Sequence, residues 1–277
     1  MSELLRGGLL QPDPLPIGAT GTSAWAYVVD AVRLRPTGRR LLSLASIVLF
    51  LVALGTFAYP LFTDVYTTQL VQRPLADQFD SAELVERYRA GTILTGEPLT
   101  RIVLPSLEVD AVVVEGTSPA ALRAGAGHYP NTPLPGADGN VAIAGHRTTY
   151  GRPFNRLDEM VPGEVLHLVT PLDVHTYRVL PAPGDAERPC PSGACWIIPP
   201  TQWEVVAPMQ GSPLTLTTCH PKGSAQERLI VRAELVSSEA RTFDALGDPV
   251  PLDLLDQHID PTATTAPEQP SRPPDGG

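Results

Sequence analysis

The pattern of apolar and polar positions divides the chain into regions of different character. From residue 41 to residue 63 there is no charge, and most positions are Leu, Val, Ile, Ala or Phe. At ~1.5 Å per residue such a run reaches about 34 Å as a helix, enough to cross a ~30 Å hydrocarbon core. A buried core helix of this length would keep a polar face, and the apolar part of a cleavable signal peptide is shorter, roughly 7–15 residues. The run is therefore read as a retained transmembrane helix. After it, Asp80-Ser81-Ala82-Glu83 has the form of a capping box opening a short helix that Gly91 closes. From Leu99 the period changes to short β-type runs separated by Pro, Gly and Asp, at 102–104, 111–114, 141–144, 164–169, 176–180, 204–207, 214–218 and 229–235. Eight or so short strands at this spacing predict a mainly β domain, a closed barrel or a sandwich.

Charge orients the membrane run. Arg33, Arg35, Arg39 and Arg40 crowd its N-terminal side and Asp64 follows it, so the positive-inside rule places residues 1–40 in the cytoplasm and the rest outside. Five segments are expected: a disordered cytoplasmic tail (1–40), the span (41–63), an extracytoplasmic linker with a short helix (64–98), a folded domain (99–240) and a disordered C-terminal tail (241–277). The last segment is rich in Pro and Thr, and no second apolar span follows, so a single crossing is expected. The 31 prolines and 23 glycines agree with a loop-rich β domain. Of the net charge of −10, residues 1–40 contribute +2 and the remainder −12, which argues against nucleic acid as a partner.

Three cysteines are too few for a disulfide scaffold, and the odd count leaves one thiol over. Cys190 and Cys195 bracket a turn-forming Pro191-Ser192-Gly193-Ala194, whereas Cys219 stands alone. Neither a second cysteine pair nor clustered histidines at zinc-ligand spacing accompany them, so no metal or other cofactor is expected.

Thr215-Leu216-Thr217-Thr218-Cys219 delivers a cysteine to the end of a β-run, because Pro221 cannot continue a ladder. A small buried core cysteine is the commonest fate of such a residue. A nucleophilic thiol needs a base. His220 is adjacent in sequence, but neighbouring strand residues face opposite ways; His167 and His175 read as ordinary sheet residues; His258 lies in the trailing segment. His146 ends the run Gly139-Asn140-Val141-Ala142-Ile143-Ala144-Gly145, again at a strand terminus. An acyl-transfer site also needs a donor for the oxyanion. Arg228 opens the last strand nine residues after Cys219, while Arg232 lies ~13 Å further along it at ~3.3 Å per residue. Each residue has a bland alternative: a solvated histidine, an edge arginine that discourages aggregation.

Together the motifs resemble those of one family. Thr215-Leu216-Thr217-Thr218-Cys219, followed by Arg228-Leu229-Ile230-Val231, is similar to the sortase signature. The stretch through Ala144-Gly145-His146-Arg147 resembles the segment that carries the sortase histidine. The resemblance covers about residues 99–235. It implies an eight-stranded sortase β-barrel, Cys219, His146 and Arg228 as catalytic residues, and substrate contacts at Tyr129 and Thr218. Gly127-His128-Tyr129-Pro130 and Cys219-His220-Pro221-Lys222-Gly223 look like class E members, which favour Leu-Ala-x-Thr-Gly sorting signals over Leu-Pro-x-Thr-Gly. The partners so implied are exported proteins with C-terminal sorting signals and a peptidoglycan-precursor amine as acceptor. A pilin-polymerising sortase would carry an Asp-Pro-aromatic lid motif, which 60–99 lacks. L,D-transpeptidases place Ser-His-Gly before the cysteine and an Arg two residues after it, and papain-like enzymes set the cysteine on a helix; neither pattern is present. In an oxidising compartment Cys190 and Cys195 are expected to form a disulfide close to the active-site groove, stiffening the segment before 196–200.

A membrane-impermeant protease applied to wall-stripped cells should remove the β domain and spare residues 1–40. Protection of the β domain would mean the opposite orientation.

Overall fold

The computed structural model describes residues 36–244 together with Val250, Leu254 and Leu255; most of the two expected tails lies outside these residues. The chain divides into two units between Phe57 and Ala58. Helix α1 (Pro36–Tyr66) starts in the first unit, five residues before the uncharged run, and every side chain from 41 to 57 is exposed. The helical segment is long and apolar enough to cross a membrane.

In the second unit the helix does not stop at Asp64. It passes through a π-helical stretch (Thr67–Gln72) into α2 (Arg73–Phe79), so most of the expected linker is helical. Gln72 explains part of this register. Its amide accepts from Val112 N–H at 2.8 Å and donates to Val112 C=O at 3.0 Å, satisfying strand groups just before the neighbouring strand begins to pair. Helix α3 (Ala82–Arg89) is capped by Ser81, whose Oγ accepts from Leu84 N–H at 3.2 Å. The cap is thus one residue later than a box beginning at Asp80 requires, and Asp80 pairs instead with Arg241 at 3.0 Å. Gly91, at φ +65°, ends the helix.

Among the described residues nine strands follow: β1 (Pro98–Leu104), β2 (Val109–Glu115), β3 (Ala126–His128), β4 (Val141–Gly145), β5 (Val165–Val169), β6 (Asp173–Val179), β7 (Cys195–Ile198), β8 (Leu214–His220) and β9 (Glu227–Ala240). Eight close a barrel in the order β6-β5-β1-β2-β3-β4-β8-β9, with β9 returning to β6. The length of β9 makes closure possible. Its first part pairs with β8 on one edge and the short β7 on the other, and its second part, from Ala233, pairs with β6. The core within the barrel comes from alternate residues such as Ile102, Val113, Ile143, Leu168, Tyr177, Leu216 and Val231. A second cluster joins Phe79 and Leu84 to Val103, Val169 and Leu254, so part of the expected C-terminal tail is packed.

Three elements depart from the pattern-based expectation. Strand β3 is Ala-Gly-His, too weak in β propensity to be seen, and is held by β2 and β4 on its two sides. Strand β7 was hidden in a loop-like sequence. Conversely, 204–207 is not a strand: Trp203–Val206 forms a 3₁₀ turn between Pro200 and Pro208.

Cys190 and Cys195 are joined by a disulfide, with Cα atoms 5.2 Å apart, and Cys219 is free. The bridge is buried in the barrel core and not in the groove. It closes a turn in which Cys190 N–H donates to Cys195 C=O at 2.7 Å and fixes the start of β7. Replacing both cysteines by Ala should lower stability by about 1–2 kcal/mol in denaturant unfolding, below the ~3 kcal/mol of a 15-residue loop. An unchanged unfolding midpoint would show that the turn is held without the bridge.

Candidate active site

Strand parity decides which side chains meet. On β8, Leu214 and Leu216 point into the core, so Thr215, Thr217 and Cys219 point outward. On β9, Leu229, Val231 and Ala233 point inward, and Arg228, Ile230 and Arg232 outward. On β4, Val141 and Ile143 are inward, and His146 continues the outward row of Ala142 and Ala144 one residue past the strand. The three strands are neighbours in the order β4-β8-β9.

Register then aligns the rows. β4 runs parallel to β8 with Ala144 level with Thr217, and His146 and Cys219 each follow two residues further along their chains, past the end of that ladder. β8 runs antiparallel to β9 with Cys219 directly opposite Arg228; such partners have Cα atoms about 4.5–5.5 Å apart. The rows end in a pocket of about 260 Å³ that Cys219, His146, Arg228, Tyr129 and Thr218 all line. Its other walls are largely apolar, from Leu122, Ile198, Val205, Val206 and Ile230. All five residues singled out in the sequence are therefore brought together.

Local contacts fix each of them. Thr218, buried, donates its hydroxyl to Gly145 C=O at 2.8 Å, tying β8 to β4 one step short of the pair. Gly145 must be glycine, because a Cβ there would lie 2.4 Å from the Phe154 ring. The Tyr129 hydroxyl meets Thr217 Oγ1 at 3.1 Å. The His146 ring packs against Tyr150, centroids 5.0 Å apart, and burial lowers its pKa below that of a free histidine. Arg228 donates to the carbonyls of Ala225 at 3.0 Å and Glu227 at 2.9 Å, which hold its Nη1 at the pocket edge.

The other titratable residues go elsewhere. Arg232 donates to Val205 C=O at 3.3 Å and lies 5.3 Å from the Trp196 ring centre, on the far side of the segment over the pocket. His220 Nδ1 lies 2.8 Å from Arg147 Nη1. His167 and His175 hydrogen-bond Thr176 at 3.1 Å and Ser238 at 2.8 Å. His258 lies outside the described residues. Among the described residues no group of three or more His, Cys, Asp or Glu could hold a metal ion.

Three positioning features were not legible in the sequence. Asn140, fully buried, accepts from Thr215 Oγ1 at 2.8 Å and donates to Val205 C=O at 3.1 Å and Ala207 C=O at 3.0 Å. It thereby holds the Trp203–Val206 turn over the outer face of the sheet. Tyr150, at φ +52°, sits in a left-handed turn that brings its ring to His146. Arg147 is buried beneath the strand ends. Only the polar residue in the otherwise apolar β4 motif, Asn140, offered a signal, since a buried amide needs partners.

Comparison with known proteins agrees with this geometry. The family model of the sortase domain matches residues 102–236. Sortase SrtE1 of Streptomyces coelicolor is 30% identical over 163 residues, 55% of this chain and 44% of that protein. Sortase SrtE2 of the same organism is 32% identical over 141 residues, 48% of this chain and 53% of that protein. The chain thus spans about half the length of these curated relatives. The solved Clostridium perfringens Sortase D5 transpeptidase shares the fold at 23% identity, with a TM-score of 0.50 over 63% of this chain and 99% of that one. Residues 102–236 of the chain form a sortase domain, and its likeness is to class E members. The L,D-transpeptidase and papain-like alternatives fall with that assignment.

Proposed function

We propose that this chain is a membrane-anchored cysteine transpeptidase that joins exported proteins to an amine of the cell wall. The observation that carries the reading is the convergence of Cys219, His146 and Arg228, from three adjacent strands, in one pocket with apolar walls. In this reading the Cys219 sulfur attacks the Thr–Gly carbonyl of a C-terminal sorting signal. His146, neutral at rest because burial disfavours its charged form, takes the thiol proton. Arg228 stabilises the developing oxyanion with a charge-assisted hydrogen bond. As the C–N bond breaks, the imidazolium gives its proton to the leaving glycine amine, leaving a thioester on Cys219. An incoming amine attacks the thioester, passes its proton to His146 and releases the sulfur.

The apolar wall of Leu122, Ile198 and Val206 suits the leading Leu of a sorting signal, and Tyr129, which lines the same pocket and is held by Thr217, is assigned to the second residue by its resemblance to a class E tyrosine. A Leu-Ala-x-Thr-Gly signal is favoured by the class E likeness. The apolar helix gives the enzyme a reason to stay at the membrane, where exported substrates and a peptidoglycan-precursor amine both pass. Its N-terminus is cytoplasmic and its barrel extracellular in this reading.

Cys219→Ala should abolish both transpeptidation and the acyl-enzyme seen by mass spectrometry with Leu-Ala-x-Thr-Gly peptides, with the fold retained. Turnover above about one per cent of the parent, a loss of less than the ~10² expected for a catalytic group, would remove Cys219 as the nucleophile.

Arg228→Lys should lower kcat/KM by about tenfold or more, because a point charge does not reproduce the planar fork of donors. Arg232→Lys should change it by far less; the reverse ranking would assign the oxyanion to the other arginine.

A further inference from the structure

The residue after His146 is an arginine that the proposed chemistry does not use. Arg147 is 3% exposed. Its Nη1 donates to the main-chain carbonyl of Cys219 at 3.2 Å and to His220 Nδ1 at 2.8 Å. Its Nη2 lies 3.0 Å from an Asp158 carboxylate oxygen, and its own carbonyl accepts from Asn155 Nδ2 at 2.6 Å. The ladder between β4 and β8 ends at Ala144 and Thr217, and the Thr218–Gly145 bond adds one tie beyond it. Arg147 makes the next one, at the level of His146 and Cys219 themselves.

A guanidinium has only donors, so the nitrogen that faces it must offer a lone pair. That contact assigns His220 as a neutral imidazole with its proton on Nε2. We propose that Arg147 is a positioning residue, whose guanidinium sets the Cys219 main chain against His146 and does so only while His220 is neutral. The proposal rests on Cys219 and His146 being the reacting pair.

The groups around His220 favour the neutral form. Burial lowers its pKa most, followed by Arg147; Arg188 acts in the same direction, while Glu227, opposite on β9, and Asp158 act against them. Glu227 is itself paired with Arg188, which weakens its pull. Protonating His220 places an N–H and a positive charge against the guanidinium, so the clamp is intact at neutral pH and opens as pH falls. A merely structural role is the alternative: Arg147 and Asp158 would staple the 3₁₀ turn Leu157–Glu159 to the barrel and do nothing for the pair.

The test is made on the full chain in detergent micelles, with a Leu-Ala-x-Thr-Gly peptide, following the acylation rate and the modified residue by mass spectrometry, with thermal unfolding in parallel. Arg147→Lys keeps a charge for Asp158 but cannot span to Cys219 as well. It should lower the acylation rate about ten- to a hundredfold, as a ~1 Å misplacement does, with KM for the peptide little changed. Asp158→Asn should lose far less. His220→Asn, whose Oδ1 takes the place of Nδ1 and does not titrate, should keep more activity at acid pH than the parent, with an acid limb shallower by one proton and the protonation of His146 as what remains of it. Parental acylation by Arg147→Lys, an equal loss in Asp158→Asn, or an unaltered acid limb in His220→Asn overturns the proposal. If Arg147→Lys does not fold, the other two variants decide. An unmodified Cys219 in the parent enzyme would instead refute the nucleophile itself and take this proposal with it.

Discussion

The parallel pairing of β4 with β8 is the constraint on which the site depends. Side chains on a strand alternate with a period of two, so a slip of one residue would turn every outward group inward. Ala144 opposite Thr217 therefore sets the face from which both His146 and Cys219 reach the pocket they line. The register is secured from two directions. Leu214, Leu216, Val141 and Ile143 fill the barrel interior, and a slip would place threonines there. On the outer side Asn140 bonds Thr215, and at the end of the inward-facing row Thr218 bonds Gly145. The first set makes the correct register favourable, and the second makes it specific, because each misplaced hydroxyl or amide would be buried without a partner.

The same polar ties build the wall of the pocket. Asn140 reaches from the end of the strand to the carbonyls of Val205 and Ala207, and Arg232 bonds Val205 from the other side. The segment after β7 is thereby held against the sheet without being part of it. Its apolar residues line the same pocket as His146, whose pKa is lowered by burial and whose ring packs on Tyr150. An imidazole kept neutral in this way is suited to take a proton at one step and return it at the next. The barrel thus supplies the electrostatic setting as well as the geometry.

Long β9 links closure to the geometry of the pocket. One strand end places Arg228 opposite Cys219, and the other end closes the barrel on β6. The disulfide at the start of β7 and the helical residue Gln72 work at the two places where this sheet would otherwise leave backbone groups or a short strand poorly held.

Much of this organisation was legible along the chain. The uncharged run, the period-two segments, the strand-terminal positions of Cys219 and His146, and the placing of Arg228, not Arg232, level with Cys219 all follow from local rules of hydropathy, alternation and chain length. These rules operate over a few residues and need no partner. Where the outcome depended on partners, local reading failed. Ala-Gly-His becomes a strand only because β2 and β4 flank it, and 204–207 has strand propensity but no neighbour to pair with. The helix runs through to Phe79, and Gln72 on it bonds Val112 forty residues away in sequence, a partner that no local rule supplies. Arg147 has the composition of a surface residue, yet the fold buries it beneath the strand ends. The sequence by itself determined which residues could do chemistry and where along the chain each strand would present them. Only the tertiary structure decided which of them face each other, because register, closure and the burial of polar groups are properties of strands paired across long stretches of sequence.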